Sequence, residues 1–257
     1  MKHLLISLFI INTLFFYAQS KIEPEIEIEY DIHYNTEVPN TKKGTLYVDK
    51  SLNQSLFVYG NDKKEKTVKN TEENEIRLMF SESIRFNHVN FLADSIISKD
   101  KIYKDEYIIS ESKPNLKWKL INEIKKIDTI TVKKATLNFR GRNYIAWYSD
   151  KFPLKFGPWK FHNLPGLILE IYDETKRYHW VMTSFSKSNF EKSIDYSEMT
   201  KKVDKIDIKD FVVLRYEKGI KLVNESRLPR GTSINKNKIK RNGIEIKFEW
   251  EEKTKED

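Results

Sequence analysis

The strongest constraint on the fold of this chain is an alternation of apolar and acidic residues near its start. In Glu25–Ile32 (EIEIEYDI), Ile26, Ile28, Tyr30 and Ile32 alternate with Glu and Asp. A period of two is typical of a strand with one buried face and one wet face. A row of acids can also mark a metal or catalytic site, but it is far more often the solvated side of a strand. The segment therefore predicts a half-buried β-strand.

Similar segments, rich in β-branched and aromatic residues, recur along the chain and also indicate strands. The polar stretch Asn61–Glu73 lacks any pattern and is predicted to be an exposed loop. Regular strand spacing with short polar turns favours one antiparallel sheet. The other predicted strands are Gly44–Asp49, Ser55–Tyr59, Glu75–Phe80, Lys101–Ile109, Leu116–Leu120, Thr129–Phe139, Asn143–Tyr148, Leu167–Tyr172, Tyr178–Phe185 and a last hairpin of Ile239–Arg241 and Ile244–Trp250 around Asn242-Gly243.

One segment has helical spacing instead. Asp207–Asn224 is predicted to be a helix with Asp207 as its N-cap, although Gly219 weakens it. The predicted fold class is mainly β (a β-rich α+β protein), with a single curved antiparallel sheet or partly closed barrel and one helix in the C-terminal half. Because no repeat or Pro/Gly/Ser linker interrupts the sequence, residues 21–257 are expected to form a single domain.

Composition excludes several classes of protein. The 257 residues include no cysteine, which removes disulfide scaffolds, thiolate zinc sites, iron–sulfur clusters and cysteine nucleophiles. Aromatic residues make up 13%, which argues against a disordered chain. The net charge is +8, but basic residues alternate with acids, as in Lys201–Asp210 (KKVDKIDIKD). This pattern is typical of a solvated charged surface and does not favour a nucleic-acid partner.

The first twenty residues resemble an export signal. Lys2 and His3 precede the apolar stretch Leu4–Ala18, and Ala18 and Ser20 are small residues at the positions that a signal peptidase requires. A buried N-terminal helix is the alternative. We expect cleavage near Ser20, an exported periplasmic or secreted protein of net charge 45 − 38 = +7, and no lipid anchor since no cysteine follows. No later apolar run is long enough for a transmembrane helix in the mature chain.

Proline and glycine cluster in the centre of the chain. Pro153, Gly157-Pro158 and Pro165-Gly166 impose sharp, rigid turns beside bulky apolar residues. Such a loop is either a plug of the core or the lip of a ligand site. The candidate ligand-binding residues, each of which could also be core, are Trp147, Tyr148, Phe156, Trp159 and Phe161.

The same region carries a family signature. The motif Asn163-Leu164-Pro165-Gly166-Leu167-Ile168 resembles the one that names the GLPGLI family, with Asn163 in place of its first glycine. Lys134-Ala135, Ala146-Trp147-Tyr148 and Gly157-Pro158 precede it in the family's order, and the resemblance covers Trp118–Asp173. It implies a lineage of secreted proteins from Bacteroidetes-type bacteria, and it supplies no catalytic residue because the family has no established activity. Asn163 removes one permissive turn position, so a departure from the family's geometry is expected at the entry of the loop.

No compact catalytic or metal motif is present. His33, His88, His162 and His179 show no H-E-x-x-H or other ligand spacing, and no Gly-rich phosphate loop exists. The sequence therefore predicts no catalytic residues, no metal and no cofactor. It favours an exported cell-envelope protein without enzymatic activity that binds an apolar or amphipathic ligand, or an outer-membrane or other envelope partner, on a curved sheet.

An alternative function is that of a secreted hydrolase. Its site would be assembled around residues 150–179, where the fold would have to bring together Asp150, His162, Asp173 and His179.

Overall fold

The computed structural model describes residues 21–60, 66–70, 75–79, 84–187, 192–225 and 241–251. The predicted signal peptide, Met1–Ser20, lies outside these residues. The described chain is rich in strands, which confirms the predicted mainly-β class. Its strands, in chain order, are β1 (Lys21–Ile22), β2 (Ile26–Tyr34), β3 (Asn40–Asp49), β4 (Gln54–Gly60), β5 (Lys66–Asn70), β6 (Glu75–Met79), β7 (Arg85–Asn90), β8 (Ser95–Ile102), β9 (Asp105–Ser112), β10 (Lys119–Ile127), β11 (Ile130–Phe139), β12 (Arg142–Ser149), β13 (Leu167–Asp173), β14 (Tyr178–Lys187), β15 (Lys192–Asp195) and β16 (Asp204–Asp207).

Twelve of these strands form one large sheet. Their order is β10-β11-β12-β13-β14-β2-β3-β4-β7-β8-β9-β16, and the sheet is curved but not closed into a barrel. All its neighbouring strands run antiparallel except β16, which lies parallel to β9. We call the face that carries Tyr30, Phe57 and Trp180 the inner face, and the opposite one the outer face.

The alternation in the first long strand has the predicted effect. Ile26, Ile28, Tyr30 and Ile32 are buried in the largest core cluster, on the inner face, whereas the acids between them are partly exposed. The loop between β12 and β13, residues 150–166, packs its aromatic side chains into the same cluster. A shift of β2 by one residue would move its buried side chains to the other face of the sheet. This burial therefore fixes the register of the strand against its neighbours.

A second, four-stranded sheet covers part of the outer face. It has the order β1-β15-β6-β5, and β15 lies parallel to β6. Ile22 and Ile194 of this sheet share a buried cluster with Tyr47, Leu56 and Phe86 of the main sheet. The sequence did not predict a second sheet, and the loop predicted at Asn61–Glu73 is wrong where β5 lies, because those residues pair with β6.

Two further predictions are also wrong. Lys101–Ile109, predicted as one strand, contains the turn between β8 and β9, where Tyr103 has a φ of 57°. Of the predicted last hairpin, residues 239 and 240 lie outside the described residues, and residues 244–250 form no strand; instead the amides of Ile246 and Lys247 donate to the carbonyl of Arg140. The chain can approach there because the next residue, Gly141, lacks a Cβ that would come within 2.5 Å of Ile246.

Two α-helices and one short 3-10 helix complete the described chain. They are α1 (Ser197–Thr200), α2 (Ile208–Glu225) and the 3-10 helix Glu249–Glu251. Helix α2 confirms the helix predicted at Asp207–Asn224 to within one residue. The carboxylate of Asp207 accepts a hydrogen bond from the Lys209 amide at 2.9 Å, which is the predicted N-cap contact.

Candidate functional site

A cavity of about 440 Å³ lies against the inner face of the main sheet. Its floor comes from β2, β4, β7, β8 and β14, and its roof from α2, the 150–166 loop and residues 241–248. The described residues of α2 that line it recur at helical spacing and so share one side of the helix. They are Ile208, Phe211, Val212, Arg215 and Tyr216. The volume lies in the range typical of small-molecule sites, about 300–1,000 Å³.

Aromatic rings form most of the apolar wall. Trp159 of the loop stacks on Trp180 of β14 with ring centroids 6.1 Å apart, and Phe57 stacks on Tyr59 at 5.6 Å. The ring of Phe57 packs over Gly44 of the neighbouring strand β3, where an added Cβ would come within 2.5 Å of the ring. The glycine therefore determines how far the Phe57 ring reaches into the cavity.

Charged and polar side chains gather at one end of the cavity. An oxygen of the Asp100 carboxylate lies 3.2 Å from an Arg85 guanidinium nitrogen, and the other accepts from Arg215 at 2.7 Å. Arg85 also hydrogen-bonds the hydroxyl of Tyr59. The Nζ atom of Lys42 lies 5.1 Å from the centre of the Tyr34 ring, a cation–π distance. Arg85, Arg215 and Asp100 line the cavity, and Lys42 lies next to them, behind the lining residue Tyr34. We call these four residues the basic end.

The electrostatics of this end reflect partial burial. Desolvation, and then repulsion from Arg85 and Lys101, hold the pKa of Lys42 below its usual value, while Asp100 acts in the opposite direction. Burial raises the pKa of Tyr34 to about 12, so its hydroxyl stays protonated and can donate a hydrogen bond. Among the described residues, no side chain or backbone group is hydrogen-bonded to this hydroxyl.

The floor next to the basic end is polar and buried. Asn87 donates to the Ser98 hydroxyl at 2.8 Å, and both residues line the cavity. The Asn87 Oδ1 atom is buried without a hydrogen-bond partner among the described residues. A buried amide oxygen without a partner carries a desolvation cost of about 1–3 kcal/mol.

A buried ion network holds the roof in place. Arg140 pairs with Glu111 of β9, and with Glu245 and Glu249 of the C-terminal segment. Lys160 of the loop lies 2.5 Å from Glu111 and 3.0 Å from Glu245. Although burial opposes ionisation, Lys160 and Arg140 hold the pKa of Glu245 at about 2. Glu245 lines the cavity, so the network joins the loop, β9 and the C-terminal segment at its wall.

The predicted ligand-binding residues are dispersed. Trp159 lines the cavity, whereas Tyr148, Phe156 and Phe161 are buried in the core around it. Trp147 lies on the outer face, where Lys125 stands 4.3 Å from its ring and its indole N–H reaches the Tyr172 hydroxyl at 3.5 Å. The family-like motif residues Gly157, Leu164, Leu167 and Ile168 pack the loop onto the sheet.

Asn163, the motif's departure from glycine, retains the conformation that glycine favours, with a φ of 68°. Asparagine is among the residues that adopt this left-handed conformation most readily. Its amide donates to the Lys155 carbonyl at 2.8 Å, which closes the loop. Asparagine is therefore compatible with the turn that the chain makes here.

The four residues of the alternative hydrolase site each have separate partners. The exposed Asp150 pairs with Lys133 at 2.5 Å, and His179 on the outer face lies 3.0 Å from Glu170. His162 is buried between the Lys160 and Pro114 carbonyls. Asp173 is buried and bound to Arg142, Thr175 and the Tyr178 amide. No described hydrogen bond or ion pair joins any two of the four.

Within the described parts of the chain, no three His, Asp or Glu side chains are grouped to hold a metal ion. In the same residues, no helix has both the length and the apolar character needed to cross a membrane.

The fold and the site define a strand-rich protein whose open, curved sheet carries an aromatic cavity with a charged end. No protein-family model and no curated protein matches the chain. Among solved structures it is similar to PNGF-II in a C2 crystal form, with a TM-score of 0.50 and 16% identity over 75% of this chain and 32% of that one. PNGF-II in a P21 form gives a TM-score of 0.49, at 16% identity over 75% and 33%. The chain spans about a third of the PNGF-II chains, and the likeness concerns the fold alone.

Sequence reasoning missed most of the cavity. Arg85 and Asn87 on β7, and Ser98 and Asp100 on β8, are polar pairs two residues apart within otherwise buried strands. Residues two apart share a face of a strand, so this spacing was a readable signal. The partner segments, α2 and residues 241–248, are distant in sequence, and no local pattern places them over this face.

Proposed function

We propose that this protein is an exported, non-enzymatic binding protein that holds an amphipathic small molecule in the cavity between the main sheet and α2. The observation that carries the proposal is the cavity itself, with a volume of about 440 Å³, aromatic walls and a charged end. Its export is supported by the signal-like residues 1–20 and by the resemblance of residues 118–173 to a family of secreted proteins.

The two ends of the cavity favour different parts of one ligand. Phe57, Trp159, Trp180 and Phe211 offer apolar surface whose contact with a ligand removes water from both. Arg85 and Asp100 at the other end offer hydrogen-bonding groups that fix its orientation. Apolar walls with a few convergent polar groups are typical of small-molecule sites.

The test is binding of a neutral aromatic probe, N-phenyl-1-naphthylamine, followed by its fluorescence. We expect the wild-type chain to bind it with a dissociation constant of about 10 µM, which corresponds to about −0.4 kcal/mol per non-hydrogen atom. Val212→Trp places a bulky side chain on the cavity side of α2 and is expected to weaken binding at least about tenfold, since the indole occupies the space of the probe.

Val213→Trp is the matched control. Val213 is the next residue of the same helix and is 55% exposed, so the same side chain there points to solvent. Binding should then stay within about twofold of wild type. Equal probe binding by wild type and Val212→Trp would overturn the proposed site.

A further inference from the structure

We propose that the ligand of this cavity is an anionic amphiphile, whose carboxylate, sulfate or phosphate group binds at the basic end, beside Arg85 and Arg215 and within the positive field to which Lys42 contributes. This inference rests on the proposed function and specifies the chemistry of its ligand.

The balance of charge favours an anion. Among the residues that the structure describes, four cationic side chains line the cavity, Arg85, Lys160, Arg215 and Arg241, against two acidic ones, Asp100 and Glu245. Two of the cations are paired elsewhere: Lys160 with Glu111 and Glu245, and Arg241 with Glu251.

Among the described residues, the basic end holds three cations and one carboxylate, that of Asp100. This carboxylate contacts both Arg85 and Arg215, and Lys42 lies within electrostatic range of Arg85 and Asp100. Three cations and one carboxylate give a local charge of 3 − 1 = +2 for these described residues. Burial, and then the charges of Arg85 and Lys101, hold the pKa of Lys42 below its usual value, against the opposite effect of Asp100.

The geometry supplies donors for an anion. A guanidinium has five N–H groups, and Arg85 directs contacts to Asp100 and Tyr59. The Tyr34 hydroxyl lines the same cavity, is protonated at neutral pH, and is not bonded to any described residue. Hydrogen bonds from a charged donor to an anion are strong, especially where water is partly excluded.

Walls of Phe57, Tyr59 and Trp180 continue from these donors, which favours a charged head on an apolar body over a free inorganic anion. The aromatic wall would gain nothing from a small hydrated ion. An anionic amphiphile would use both ends of the cavity at once.

A pair of dyes isolates the charge. Anilinonaphthalene sulfonate has the same ring system as N-phenyl-1-naphthylamine and differs by one sulfonate group. The wild-type chain is expected to bind the sulfonate about tenfold more tightly than the neutral dye. Arg85→Gln should weaken binding of the sulfonate dye about tenfold and change the affinity for the neutral dye less than about twofold. Arg85→Lys should retain most of the preference for the sulfonate dye over the neutral one.

Two controls accompany this variant. Lys133→Gln removes one positive charge from an exposed pair with Asp150, so it lowers the net charge equally without touching the cavity, and both affinities should stay unchanged. Arg215→Gln, on the exposed side of the same Asp100 carboxylate, provides a second test should Arg85→Gln fail to fold, and should again weaken only the sulfonate.

Displacement of the sulfonate dye separates an amphiphile from a free anion. Decanoate should displace it, whereas inorganic phosphate at the same concentration should not; equal displacement by phosphate would overturn the amphiphile. If the neutral dye binds and is blocked by Val212→Trp, but Arg85→Gln weakens both dyes equally, the anionic group is refuted and the proposed function stands. If neither dye binds, the proposed function fails first.

Discussion

At Gly44 the position of one aromatic ring depends on a missing side chain. The residue lies in β3 beside Phe57 and Ile32, and an added Cβ would come within 2.5 Å of the Phe57 ring and 3.0 Å of Ile32. Both neighbours are buried and close-packed, so neither can move without cost. Because the Phe57 ring also packs against Tyr30 and Tyr59 and lines the cavity, we expect it to move towards the cavity.

Gly44→Ala is therefore expected to lower the free energy of unfolding by about 1–3 kcal/mol, the usual range for overpacking a core. Gly44→Ala should also weaken binding of the neutral dye, because the displaced Phe57 ring enters the cavity. Urea unfolding and dye titration measure the two effects. Gly243→Ala is the control: its Cβ would lie 3.7 Å from the nearest atom, in the same cavity wall, and should change stability by less than about 0.5 kcal/mol.

Among the elements, the segment 241–251 is held without a strand ladder, by backbone hydrogen bonds, by the buried Phe248 and by charge. The charged link is Arg140, whose side chain is 3% exposed and pairs with Glu111, Glu245 and Glu249. The guanidinium also lies 5.0 Å and 4.9 Å from the rings of Phe139 and Phe248. Removing the cation would leave two largely buried carboxylates with Lys160 as their remaining partner.

Arg140→Met is accordingly expected to lower the free energy of unfolding by about 3–5 kcal/mol, as when one partner of a buried ion pair is lost. Lys133→Met, which breaks an exposed pair with Asp150, should cost less than about 1 kcal/mol. Urea titrations of both variants make the comparison. Similar losses in the two would contradict a structural role for the buried network.

The elements also show how far the sequence leads. Strand β2 and helix α2 were predictable because their apolar residues follow a single period, and burial of one face is a local consequence of that period. The second sheet and the C-terminal segment were not, since they depend on pairing partners far away in the chain. Asn242-Gly243 is a strong hairpin signal, yet the adjacent residues bond to the Arg140 turn instead.

The cavity was predictable only in part for the same reason. The sequence predicts Trp159 as a candidate ligand-binding residue because it lies in a rigid Pro/Gly loop, and it does line the cavity. Tyr148 and Phe161 lie in the same aromatic-rich region of the sequence, but their side chains are buried in the core. Nothing in the sequence distinguishes a cavity-lining aromatic residue from a core one there. The ligand-binding role of all these residues stays a prediction.

Across the whole molecule, two buried histidines lie in different core regions. His88 lies between the Gln54 amide oxygen and the Tyr196 hydroxyl, at 3.0 and 2.7 Å, where the second sheet packs. His162 lies under the 150–166 loop. Burial lowers the pKa of each to about 4. The unfolded chain therefore takes up protons near pH 6.5, well before the folded one.

Stability should be greatest above pH 6.5 and should fall as the pH drops from there towards 4, because protons bind the unfolded state more tightly in that window. Between pH 7.5 and pH 5 each histidine should account for a loss of about 2 kcal/mol. Urea unfolding at the two pH values tests this. His88→Gln should reduce the loss by about half, and an unchanged loss in that variant would argue against the buried histidine as its cause.

The cavity takes its walls from residues as far apart as Tyr34 and Phe248, nearly the full described chain. A molecule bound there would contact β2, β4, α2 and the last segment at once. Ligand binding to the folded state alone adds about 2.7 kcal/mol of stability at a hundred times the dissociation constant. Because no single fragment contains the site, that gain should be shared by every part of the fold. A bound ligand is therefore expected to link the unfolding of these distant segments and to raise the melting temperature of the protein as a whole.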